Sequence, residues 1–135
     1  MQEEISMEEK EKKKGKRFLV QLSTGKGDVG RVKSALMFAT LARMSDLDTV
    51  LYCVQDGSDA LIKGKIREEG NLPDGLPTFE QRLAEAMSAG VRFELCGEVA
   101  RNRNLKKEDL IDGAEIVGGI NLITYALEYD GMLSF

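Results

Sequence analysis

Cys96 closes the alternating run "VRFELC" (91–96) and is followed at once by Gly97 and, a few residues on, by Arg101, Asn102 and Arg103. A thiolate is the nucleophilic form of cysteine, and nearby positive charge or loop amides favour it. A strand-end cysteine that opens onto guanidinium groups could therefore react without imidazole, with Gly97 letting the backbone turn and a ligand come close. The sequence contains no histidine. That excludes a Cys-His or Ser-His pair within one chain and leaves zinc only an uncommon set of thiolates and carboxylates, so no metal site is read. Two readings of Cys96 stay open on these residues: a reactive thiol, or a packed thiol whose neighbouring arginines pair with surface carboxylates. Cys53, inside "VLYCVQ", reads as core filler, because small apolar thiols are among the most buried side chains.

A second candidate is "STGKGDVG" (23–30), a glycine-rich stretch after a first apolar run. Gly25, Gly27 and Gly30 match the spacing G-x-G-x-x-G, but Lys26 is followed by Gly27 rather than by Ser or Thr, so this is no Walker loop. The acidic ribose partner of a dinucleotide site would be Asp46 or Asp48, placed before the second strand instead of at its end. The competing reading is a turn whose Ser23 and Thr24 help line a pocket.

The elements that must position these residues follow from periodicity. "RFLVQL" (17–22) reads as a buried strand, and Val32, Ala35, Leu36, Ala39 and Ala42 recur at helical spacing over 30–44. "DTVLYCV" (48–54) reads as the second strand and runs into the turn cluster "QDGSDA", which holds Asp56 and Gly57. Residues 58–77 predict a short helix broken by Gly64 and then a loop. Thr78 and Gln81 form a capping-box signature, and Gly90 stops the helix they begin. Further on, 91–96 predicts a third strand, 106–112 a short helix ending at Gly113, 114–119 a fourth strand, 120–129 a helix, and "GMLSF" a terminal strand.

Strands alternating with helices imply an α/β fold: a three-layer α/β/α sandwich with a flavodoxin-like, mostly parallel five-stranded sheet. In a 2-1-3 strand order Cys53 and Cys96 would stand two strands apart, roughly 9 to 10 Å, beyond the reach of a disulfide. Ligands in such sheets sit beyond the C-terminal strand ends where the order reverses, and segments 23–30, 55–61 and 96–104 are expected there.

With 135 residues, 42% of them apolar and 31% charged, the chain suits one domain, 17–135, preceded by a charged and mobile arm, 1–16. The arm has no apolar segment of a signal peptide, and no run is long enough for a membrane span, which predicts a cytoplasmic protein. A net charge of −4 gives no general field for nucleic acid, so no nucleic-acid partner is expected.

The string "CGEVARNRNLKKEDLIDGAEIVGG", preceded by "LAEAMSAGVRFEL" and closed by "DGMLSF", resembles the DsrE/DsrF-like family, small sulfur-relay proteins that include the TusD-type subunits of tRNA thiolation. "FLVQLSTGKGDVGRVKSALMFATLA" and "VLYCVQDGSDAL" are similar to the family's opening βαβ unit and its "DG" loop, so the likeness covers about 17–135. Cys96, Arg103, Asn104 and Leu105 match the family's cysteine and its Arg-Gly-Leu, with Asn104 in place of glycine. The resemblance implies a sulfur carrier or sulfurtransferase without a cofactor. Cys96 would take sulfane sulfur or thiosulfate covalently and relay it between donor and acceptor proteins or small sulfur species. Arg103 is carried by the match. Gly97, Arg101 and Asn102 on one side, and Ser23, Asp56 and Gly57 on the opposite wall, are placed by the expected fold. Family members commonly form trimers or hexamers, which implies a homotrimer or homohexamer. The alternatives are a nucleotide- or phosphate-binding module on Gly25–Gly30, and a non-catalytic assembly subunit in which Cys96 is inert.

Overall fold

Leu19, Val20 and Leu22 are wholly buried, and the strand that carries them, β1 (Arg17–Leu22), has a strand on each side. This is the computed structural model of the chain, and it describes residues 6–7, 15–68, 72–73 and 75–135; most of the expected arm, 1–16, lies outside the described residues. α1 (Val29–Met44) begins at Asp28, whose carboxylate accepts the Arg31 N–H, and it buries the predicted stripe of Val32, Ala35, Leu36, Ala39 and Ala42. β2 (Asp48–Cys53) follows and leads into a 3-10 segment, Gln55–Ala60. α2 (Phe79–Ala89) carries the full capping box: Gln81 N–H donates to Thr78 Oγ1, and Thr78 N–H to Gln81 Oε1. It ends at Gly90, whose φ of +95° suits glycine.

The remaining elements are β3 (Arg92–Cys96), α3 (Gly97–Asn102), β4 (Glu115–Val117), α4 (Ile120–Glu128) and β5 (Gly131–Ser134). All pairings in the five-stranded sheet are parallel, and its order is β4-β3-β2-β1-β5. The class is α/β, as expected, but the strand order is not 2-1-3. Successive crossovers lay β2, β3 and β4 on the same side of β1, and only the last connection returns to its other edge. The order therefore reverses between β1 and β5, so the segment 23–30 lies at the reversal while Cys96 stands further along the sheet.

Adjacent strands now hold the two cysteines, with Cys53 beside Leu95 in the register and Cys96 beside Val117. Alternation of side chains sends Cys53, Phe93 and Leu95 to one face, and Tyr52, Glu94 and Cys96 to the other. Both thiols are free. The reason is that they point to opposite faces of the sheet, rather than the two-strand separation first expected.

Two local expectations need correction. The described part of 58–77 forms no α-helix; after Ala60 the chain turns, and Ile62 makes an isolated antiparallel bridge with Leu110. The expected helix at 106–112 is a single 3-10 turn, Lys107–Asp109, while the stretch read as a loop after Cys96 is the helix α3. Val99 and Ala100 are the buried residues of α3, so tertiary packing decides a segment with little periodicity of its own.

Candidate site at the end of the third strand

Cys96 is the last residue of β3 and remains only 8% exposed. Its Sγ lies 3.5 Å from Glu98 Oε1, which can accept the thiol proton. The same oxygen accepts the Gly119 N–H at 2.8 Å. Glu98 is held below the usual carboxylate range, first by the Gly119 N–H, then by its own backbone N–H and the Cys96 thiol, with a smaller contribution from the charge of Arg101. Glu98 is thus an ionised acceptor beside the sulfur.

The chain comes this close because the partner segment consists of glycines. Parallel pairing of Cys96 with Val117 delivers Gly118 and Gly119 directly to the thiol. A Cβ on Gly119 would stand 2.9 Å from Glu98 Oε1 and 3.6 Å from Cys96 Sγ, and one on Gly97 would stand 3.4 Å from Gly118 Cα. Tyr52 completes the surroundings. Its hydroxyl donates to Val117 O at 2.7 Å. Burial raises the phenol well above its ordinary range, and Cys96 beside it adds to the rise.

A network under α4 continues this face of the sheet. Tyr125 donates to Glu94 Oε1 at 2.7 Å, and Arg92 reaches Glu94 Oε2 at 3.4 Å and Tyr129 Oη at 2.8 Å. Burial and the Glu94 carboxylate push the Tyr125 phenol up to about 12. Glu94, at 8% exposure, is therefore a buried carboxylate with both oxygens satisfied.

The other expected site residues fall into separate groups. Arg103 donates to Asp56 Oδ1 at 2.9 Å and to Ser58 Oγ at 3.4 Å, tying the end of α3 to the 55–60 segment. Gly57 packs its backbone against Leu22. Ser23 is bound through its N–H and its hydroxyl to Phe135 O, at the β1/β5 end of the sheet. Arg101 and Asn102 are exposed on α3, and Gly97 is its first residue. Among the expected residues only Gly97 adjoins Cys96 through the contacts described. Glu98, Gly119 and Tyr52 escaped the sequence reading, although the carboxylate of "CGE" and the pair of "VGG" were visible signals.

The loop Gly25–Gly30 offers little to a phosphate. Lys26 N–H donates to Asp59 Oδ2 at 2.9 Å and Arg31 N–H to Asp28 Oδ1 at 3.1 Å, so carboxylates occupy amides a phosphate would use. A Cβ on Gly25 would overlap Asp56 O and Asp59 Oδ2, which shows that this glycine serves close packing.

Comparison with known proteins places the chain among relatives. A model of the DsrE/DsrF-like family matches residues 16–135. The uncharacterized protein MJ0989 of Methanocaldococcus jannaschii is 30% identical over 105 residues, covering 78% of this chain and 87% of that protein. The uncharacterized protein MK0008 of Methanopyrus kandleri is 28% identical over 105 residues, with 78% and 82% covered. Among solved structures, the ychN protein of E. coli superposes with a TM-score of 0.73 at 23% identity, covering 89% of this chain and 99% of that one. A protein of unknown function from Methanobacterium thermoautotrophicum, MTH1491, gives a TM-score of 0.65 at 15% identity, covering 89% and 99%. These two share the fold.

Proposed function

Since the chain belongs to the DsrE/DsrF-like family, we propose that it is a carrier of sulfane sulfur, with Cys96 as the thiol that receives sulfur from a donor and hands it to an acceptor thiol. The observation that supports this most is the contrast between its thiols. Cys96 ends its strand at the glycine turn into α3, beside the exposed Glu98, whereas Cys53 is wholly buried inside its strand and its thiol is pushed far up by burial. Exchange of this kind depends on thiolate access and on the leaving thiol, and it needs no cofactor. Gly97 and the exposed Arg101 and Asn102 of α3, with Arg103 fixed by Asp56, would receive a donor or acceptor, while Gly57 and Ser23 lie apart from them, against Leu22 and Phe135. Reduced thiols suit a cytoplasmic setting.

Loading with a persulfide donor followed by cyanide treatment tests this reading, because cyanide removes sulfane sulfur as thiocyanate. Wild type is expected to release about one thiocyanate per chain and Cys96→Ser none, as a single exchanging thiol requires. Release that persists in Cys96→Ser would sink the proposal, and no release from either protein would favour an inert assembly subunit.

The same reading includes self-assembly. α4 turns Ile120, Ile123 and Leu127 outward at 72%, 58% and 82% exposure, while its inner side carries Tyr125. Met132 and Leu133 on the edge strand β5 are exposed as well. A helix whose apolar side faces solvent calls for a partner surface, and a second copy of this chain in a trimer or hexamer supplies it. Ile123→Asp with Leu127→Asp is expected to reduce the mass measured by light scattering to that of a single chain. An unchanged multimer, or a monomeric wild type, would contradict this.

A further inference from the structure

Resting on Cys96 as the exchanging thiol, the geometry points to Tyr52 as a switching donor: its hydroxyl proton lies on Val117 O while Cys96 is a thiol and turns to Sγ when Cys96 is a thiolate. The strand order carries the argument. Tyr52 stands on β2 and Val117 on β4, with β3 between them, yet the hydroxyl reaches Val117 O at 2.7 Å. The phenol therefore crosses β3, and it does so at Cys96, which is the register partner of Val117 and shares the face of Tyr52. There the hydroxyl and the thiol are hydrogen-bonding neighbours. Tyr52 is wholly buried, and the Tyr125 ring packs edge-on with 6.1 Å between centroids, which holds the ring while leaving the O–H free to rotate.

A tyrosine hydroxyl has one proton to donate. While the thiol is intact, its own proton points to Glu98 Oε1 at 3.5 Å and Tyr52 serves the carbonyl. Ionisation breaks only the S–H bond: the proton passes by Glu98 to solvent, and the electron pair stays on Sγ. The sulfur is then an anionic acceptor beside the same hydroxyl, and a hydrogen bond to a charged acceptor is roughly twice as strong as one to a neutral carbonyl. The Tyr52 proton turns to sulfur without leaving its oxygen, because burial keeps the phenol protonated. The same donor serves onward exchange, in which the bond from Sγ to the outgoing sulfur breaks with its electron pair on Sγ. Of the titratable neighbours, Glu98 and Arg101 lie on α3, Glu94 on β3 and Tyr125 on α4. Glu98 is held ionised and Tyr125 is pushed up to about 12, so neither changes charge between about pH 7 and about pH 10.

Tyr52→Phe tests this through the pH dependence of Cys96 alkylation by iodoacetamide, with Cys53 in the same digest reporting whether the core has opened. Loss of the donor is expected to cut the thiolate fraction at about pH 7 by about tenfold, partly offset by the greater nucleophilicity of a more basic sulfur, for a rate about threefold below wild type. At about pH 10 the variant is expected to react at least as fast as wild type, because both are then largely ionised. A merely structural role would change the rate by one factor at both pH values; that result, or no change at either, overturns the role of Tyr52. A second measurement leaves Tyr52 in place. With the tyrosine Cζ atoms isotopically labelled for NMR, the Tyr52 resonance is expected to move along the pH curve of Cys96 alkylation in wild type and to stay still in Cys96→Ser. A resonance that does not follow that curve overturns the switch, whether or not Tyr52→Phe folds. Loading of wild type with a persulfide donor separates this from the carrier reading. Normal loading with an unmoved Tyr52 resonance removes the switch alone, whereas a moving resonance with no loading keeps the donor and removes the carrier.

Discussion

Gly57→Ala is expected to destabilise the chain by about 3 kcal/mol or more, read as a fall in the urea unfolding midpoint, because the added methyl group has nowhere to go. Its Cβ would overlap the Leu22 carbonyl oxygen and lie 2.8 Å from the carbonyl carbon. Neither strand end can yield: Leu22 O accepts the Val54 N–H at 2.9 Å, and the Gly57 N–H donates to Val54 O at 2.8 Å. Asp56, the partner of Arg103, adjoins this glycine, so the change also loosens the tie between α3 and the 55–60 segment. Gly27→Ala is the control. A Cβ there meets nothing within 4 Å, and its effect should stay within about 0.5 kcal/mol. Equal midpoints for the two variants would show that the close approach at Gly57 is absent.

Native-state alkylation is expected to separate the cysteines by about a hundredfold or more, with Cys96 modified first and Cys53 waiting for the core to open. Cys53 is wholly buried, on the same face of the sheet as Leu51, Phe93 and Leu95, and burial pushes its thiol far above the ordinary range. Cys96 is nearly as covered by area, but its sulfur sits at a strand end, against an exposed carboxylate and a glycine turn. Peptide mapping after timed exposure to iodoacetamide gives both rates. Comparable rates would make Cys53 a second candidate carrier and remove the main contrast between the thiols.

Local patterns in the sequence went far. The stripe on α1, the Thr78–Gln81 capping box, the left-handed stop at Gly90 and the alternation of Phe93 and Leu95 are each set by neighbours a few residues apart, and each appears where expected. Asn104 adopts φ +54°, a left-handed conformation that asparagine tolerates better than most residues with a side chain. Strand order was not legible, because the side on which each crossover lands depends on packing between distant elements. The surroundings of Cys96 were hidden for the same reason. Arginines close in sequence looked like its partners, yet Arg103 turns to Asp56, while Glu98 and Gly119 meet the sulfur only once β3 pairs with β4. Even the short helix α3 depends on burying Val99 and Ala100.

Intact-protein mass spectrometry after incubation with a persulfide donor, on wild type, Cys53→Ser and Cys96→Ser, tests the central claim most directly. The account predicts a gain of about one sulfur atom in wild type and in Cys53→Ser, reversed by reductant and absent from Cys96→Ser, as thiol exchange at a single site requires. A reducible adduct that survives in Cys96→Ser, or no adduct on wild type, would contradict it.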